Sequence, residues 1–149
     1  MLSSDKETLT LYYDTKKDSR SGTVYEYEFV GFDNWWLPSW YASHETVITI
    51  VLDQSMKNAR PTTVGTWFHG FEKLEDIKHL DYLDTREVER MAEMFSDCKS
   101  LTTLDLSNFD TSKVTTMYCM FDGCESLTTL DVSNFDMSNM IIMSCMFYN

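Results

Sequence analysis

The 149-residue chain holds only 5 glycines and 2 prolines, which leaves no room for glycine-rich phosphate loops or long linkers. Cations are also scarce: 12 Lys and Arg stand against 24 Asp and Glu, a net charge of −12. So acidic a chain has no electrostatic means of gripping a phosphate backbone or an anionic membrane surface. Long apolar runs are missing too. The longest nearly uncharged one, Thr46 to Leu52, is far too short to span a bilayer. Neither a nucleic-acid partner nor membrane insertion is expected. The start, Met1 to Glu7, has no apolar core and does not read as a signal peptide.

Recognisable catalytic chemistry is absent as well. The three histidines, His44, His69 and His79, belong to no HExxH pattern, and no GxSxG, Walker or GxGxxG spacing occurs. The four cysteines, Cys98, Cys119, Cys124 and Cys145, are spaced by 21, 5 and 21, so none forms a CxxC zinc knuckle. No catalytic residue, metal ligand or cofactor is assigned. What the chain does have is 43% hydrophobic residues, enough for a buried core.

The informative feature is internal repetition. Met94 to Asp110 and Met120 to Asp136 agree at thirteen of seventeen positions, at a shift of 26. Beyond them, Met117 pairs with Met143 and Cys119 with Cys145. A weaker copy upstream matches Leu74, Ile77, Thr85, Val88, Met91 and Phe95 to Leu101, Leu104, Thr111, Val114, Met117 and Phe121, with one residue inserted between Ile77 and Leu83. Phe68, Phe95, Phe121 and Phe147 then form one column at steps of 27, 26 and 26. Four coils result, 46–72, 73–99, 100–125 and an incomplete 126–149.

Each coil reads physically. Leu104 and Leu106 alternate with Thr103, Asp105 and Ser107, the period of a half-buried strand. Met117, Met120, Phe121 and Cys124 have the i, i+3, i+4, i+7 spacing of one face of a short helix. A single coil cannot bury that face, but stacked coils place Leu on Leu, Phe on Phe and Met on Met. The expected fold is thus an α/β repeat, a leucine-rich-repeat-like solenoid with one short strand and one short helix per coil. Residues 46–149 form the solenoid and 1–45 a β-rich cap. In that cap, strands near Leu9–Tyr13 and Tyr25–Phe29 read as a hairpin, followed by the aromatic cluster Trp35, Trp36, Trp40 and Tyr41. The cluster reads as cap core or as a sugar platform.

The string LTTLDLSNFDTSKVTTMYCMFDGCESL resembles the repeat of BspA-like bacterial surface proteins, found also in mycoplasma lipoproteins. The likeness is closest over 94–149, weaker over 61–93 and weakest over 8–60. It departs from the family most in coil 2, where Lys78 to Tyr82 replaces the LDLSNF core and a bulged or displaced strand is expected. The resemblance implies a surface-displayed or secreted, non-catalytic adhesion module that binds an extracellular protein or glycan. A purely structural spacer is the alternative, and an enzyme site in the cap is a third reading. The candidate partner-binding face is the outward side of the strands: Thr103, Asp105, Ser107, Thr129, Asp131 and Ser133. Cys98 and Cys124 share a column with Phe71 and read as core thiols, whereas Cys119 and Cys145 share one with Thr66 and Glu93 and read as the more reactive pair. The open last coil suggests a fragment of a longer repeat protein, or self-association through that end.

Overall fold

The computed structural model describes residues 1–148 apart from 15, 17–18, 21, 24–28 and 33–34. Five strands are present among them: β1 (Thr8–Leu11), β2 (Phe29–Phe32), β3 (Trp35–Pro38), β4 (Thr49–Leu52) and β5 (Asp76–Lys78). β1, β4 and β5 form a parallel sheet in that order, with Leu9 beside Ile50 and Ile50 beside Ile77. The alternation seen in the sequence is kept: Leu9, Leu11, Ile50 and Leu52 are buried while their neighbours are half-buried. β1 pairs with β4 on one edge, and the hairpin expected on its other edge falls on residues outside the described ones. The strand foreseen at Tyr25–Phe29 lies, except for Phe29, outside the described residues. The antiparallel hairpin that does form joins β2 to β3. The parallel pairing with β4 suits β1 because its Leu9–Leu11 face continues the Ile50–Leu52 core.

On the other side of each coil the backbone repeats in a second way. Parallel bridges link Thr63 to Arg90, Arg90 to Thr116, and Thr116 to Ile142. The N–H groups of Val64, Thr66, Phe68 and Gly70 donate to the carbonyls of Arg90, Ala92, Met94 and Ser96. Met91, Glu93, Phe95 and Asp97 donate likewise to Thr116, Tyr118, Met120 and Asp122, and Met117, Cys119, Phe121 and Gly123 to Ile142, Ser144, Met146 and Tyr148. The alternate N–H groups stay within the coil. Met94, Ser96 and Cys98, for example, close turns onto Met91, Glu93 and Phe95.

This bookkeeping explains why no α-helix is found among the described residues where the apolar spacing predicts one. A helix needs every N–H for its own i−4 carbonyl, and here every second N–H belongs to the next coil. Consecutive turns bury the same face: Met91, Met94, Phe95 and Cys98 in coil 2, and Met117, Met120, Phe121 and Cys124 in coil 3. The turns require left-handed backbone at fixed places, Thr66, Glu93, Cys119 and Cys145 in one column and Gly70, Asp97 and Gly123 in another.

The aromatic column is continuous. Ring centroids of Phe68 and Phe95 are 5.5 Å apart, those of Phe95 and Phe121 5.7 Å, and those of Phe121 and Phe147 5.6 Å. The first coil is covered by a 3-10 turn at Ser39–Ser43, from which Trp40 is buried edge-on against Trp67 and donates its indole N–H to the Trp67 carbonyl at 2.9 Å. The side chains of Trp35 and Trp36 lie outside the described residues.

Threonine side chains add a further set of joins. The Thr85 hydroxyl donates to the Asp110 carbonyl at 3.0 Å and accepts from the Asp110 N–H at 2.8 Å. Thr111 repeats both bonds with Asp136, at 3.1 and 2.7 Å.

Candidate interaction face

The sheet side changes character after β5. The inserted residue of coil 2 is absorbed by His79, whose φ is 61°, and by a single 3-10 turn at Leu80–Tyr82. The strand there ends early rather than bulging. No backbone hydrogen bond joins residues 102–105 to β5 or to residues 128–131 among the described residues. The segments expected as strands in coils 3 and 4 thus form no ladder with each other, while the turn strings of the same coils are joined by the bonds given above.

Two grooves open on this unpaired side. One, of about 540 Å³, is lined by Thr103, Leu104, Asp105, Thr129, Leu130 and Asp131. The other, of about 260 Å³, lies between Ile77, His79, Leu80 and Asp81 on one wall and Leu104, Asp105, Ser107 and Asn108 on the opposite one. Leu104 and Asp105 belong to both, so the two form one furrow across coils 2 to 4. Of the face named from the sequence, Thr103, Asp105, Thr129 and Asp131 come together in the larger groove and Ser107 lines the smaller. Ser133 lines neither, and its N–H donates to Asp131 at 2.9 Å. Leu104 and Leu130, expected to point inward, are half-buried and supply apolar wall. Sequence reasoning missed His79, Leu80 and Asp81, because they sit in the segment that departs from the repeat.

Electrostatically the furrow is acidic. Hydrogen bonding from Ser107 holds the exposed Asp105 carboxyl below its ordinary value, and Ser133 does the same for Asp131. Both therefore remain ionised through the neutral range. No Lys or Arg lines either groove. The arrangement offers carboxylates, hydroxyls, free peptide groups and leucine surface. No group of three or more His, Cys, Asp or Glu is placed to hold a metal ion among the described residues.

The cysteine columns separate differently from the expected pairing. Cys98 and Cys124 are buried, and each thiol donates to a carbonyl of the preceding coil, Phe68 and Phe95, at 3.1 Å. Cys145 is exposed, but Cys119 is only 6% exposed, and burial pushes its thiol up to about 11. The next coil lies over Cys119, and no described coil lies over Cys145. Glu93, one coil before Cys119, is also buried, and burial with Asp122 and Asp97 nearby raises its carboxyl to about 7. His69 Nδ1 lies 3.8 Å from Glu93 Oε2, yet burial lowers the imidazole's pKa. Both groups are driven toward their neutral forms, so the contact is not a strong ion pair.

Residues 62–149 match the model of a family described as Mycoplasma protein of unknown function, DUF285. The chain belongs to the DUF285 family. The match spans the four-coil column of Phe68, Phe95, Phe121 and Phe147 and both grooves. It agrees with the mycoplasma side of the resemblance drawn from the repeat. None of the curated proteins and none of the solved structures matches the chain.

Proposed function

We propose that this chain of the DUF285 family is a non-catalytic interaction module, displayed at the cell surface or secreted, with the leucine-rich-repeat architecture of the BspA-like proteins. Its coils are those of a short solenoid, and the furrow across coils 2 to 4 is the surface that takes a protein or glycan partner. The observation that carries this reading is the larger groove. Thr103, Asp105, Thr129 and Asp131 meet there around Leu104 and Leu130, on a side where the backbone of coils 3 and 4 is unpaired. Apolar wall with a few convergent polar groups is the common make-up of a binding cleft. The acidic lining favours cationic protein segments or sugar hydroxyls over anions.

An array of glycans and extracellular-matrix proteins probed with the purified chain tests the reading. A hit should weaken at least tenfold, about 1.4 kcal/mol, in the variant carrying Thr103→Ala, Asp105→Asn, Thr129→Ala and Asp131→Asn. Undiminished binding by that variant, or an array without hits, overturns the furrow as the partner site and leaves a structural spacer.

A further inference from the structure

Protein and glycan partners need different things from a cleft such as the furrow. Sugars stack their C–H faces on aromatic rings. No Phe, Tyr or Trp lines either groove. Tyr82, next to Asp81 in the chain, already carries the His79 ring stacked at 4.8 Å and the Lys57 ammonium 4.0 Å from its ring centre.

A cationic peptide finds more. Asp81, Asp105 and Asp131 stand one to a coil along the furrow, with no Lys or Arg among its lining residues. Asp105 and Asp131 are one repeat of 26 residues apart. The core sets the coil step close to the 5.5 and 5.7 Å between successive rings of Phe68, Phe95 and Phe121. In an extended peptide every second side chain points the same way, about 6.6 Å apart. A segment laid across the coils therefore presents alternate side chains at nearly the coil step. Half-buried Leu104 and Leu130 lie beside the carboxylates, and the methylene stems of Lys or Arg pack on such surface while their heads reach past it.

Asn108 supplies a second, independent observation. In coil 4, Asn134 Nδ2 donates to the Leu106 and Phe109 carbonyls of the preceding coil, both at 3.0 Å. Asn108 holds the same place 26 residues earlier, yet among the described residues it makes no such bond to coil 2, where the inserted residue breaks the register. Its exposed amide lines the smaller groove instead, with a donor and an acceptor that match a peptide group.

We propose, on the reading of the furrow as the partner site, that its occupant is an extended protein segment with Lys or Arg at alternate positions, laid across coils 2 to 4. Its cationic heads pair with Asp81, Asp105 and Asp131 in turn, and its backbone meets the Asn108 amide.

Fluorescence anisotropy on the whole chain tests this with a labelled peptide of four lysines alternating with three threonines. A peptide of the same composition with its lysines in one block is the comparison, and should bind at least about threefold more weakly. Asp105→Asn with Asp131→Asn keeps the oxygens that accept from the Ser107 and Ser133 N–H groups. It should weaken the alternating peptide by about tenfold or more. Glu89→Gln with Glu125→Gln removes the same charge at exposed positions outside both grooves, and should weaken it by less than about threefold. No binding of the alternating peptide, equal binding of the two peptides, or equal losses in the two double variants overturns the proposal. The array with the quadruple variant judges the furrow separately. A glycan that weakens there, with no peptide bound, overturns the peptide assignment and keeps the furrow as the partner site.

Discussion

The rings of Phe95 and Phe121 lie 5.7 Å apart and within 3° of parallel, one coil above the other. Both are buried, and each is flanked on both sides by another ring of the column. Phe95→Ala or Phe121→Ala should cost about 3–5 kcal/mol, the loss of transfer energy plus the cavity left behind. Phe147, with 56% of its surface exposed, should cost under about 1 kcal/mol. Urea denaturation of the three variants measures this, and equal losses at all three would mean that the column is not the stabilising core.

Thr111 joins two coils through one hydroxyl, which both donates to and accepts from Asp136. Thr111→Val keeps the shape and removes both bonds. Because Asp136 is exposed, water recovers part of the loss, and the expected cost is about 1–2 kcal/mol. A thermal midpoint unchanged by this substitution would show that the paired bonds add nothing net.

The thiols should react in a single order. Cys145 is exposed, whereas Cys98, Cys119 and Cys124 are buried and burial raises the pKa of each. Brief labelling of the native chain at pH 8, read by mass spectrometry, should modify Cys145 well before the other three. Labelling of Cys119 at a comparable rate would mean that coil 4 does not cover coil 3 in solution.

Glu93 makes stability depend on pH. Its folded carboxyl titrates at about 7 against an ordinary value of 4.5, so the folded state binds the extra proton between those values. The contribution of Glu93 to stability is therefore greatest below about 4.5, falls as pH rises toward 7, and is flat above. Glu93→Gln should leave the thermal midpoint unchanged at low pH and raise stability above neutrality by about 1–2 kcal/mol, a figure reduced from the full shift for solvent access. A midpoint-versus-pH slope identical in the two proteins would place the Glu93 carboxyl in water.

The register of this protein is legible in its sequence. The 26-residue repeat fixes which residues lie above which, because identical side chains at a constant step bury best against their own copies. The aromatic column and the burial of Cys98 and Cys124 could be read from residue identity alone. So could Thr103, Asp105, Ser107, Thr129 and Asp131 among the groove-lining residues, since the strand-period alternation separates Thr103 and Asp105 from Leu106.

Tertiary structure decided the backbone. The i, i+3, i+4, i+7 spacing is common to a helix and to a string of turns, and the choice falls to turns because the next coil takes every second N–H. The left-handed backbone at Thr66, Glu93 and Cys119 carries no glycine signal, since inter-coil bonds and not local propensity hold it. Two further outcomes depend on what a neighbour covers: β1 finds a parallel partner far along the chain, and Cys119 is shielded where Cys145 is not. A sequence states what each side chain prefers, but which of its faces meets another coil is settled only when the coils come together.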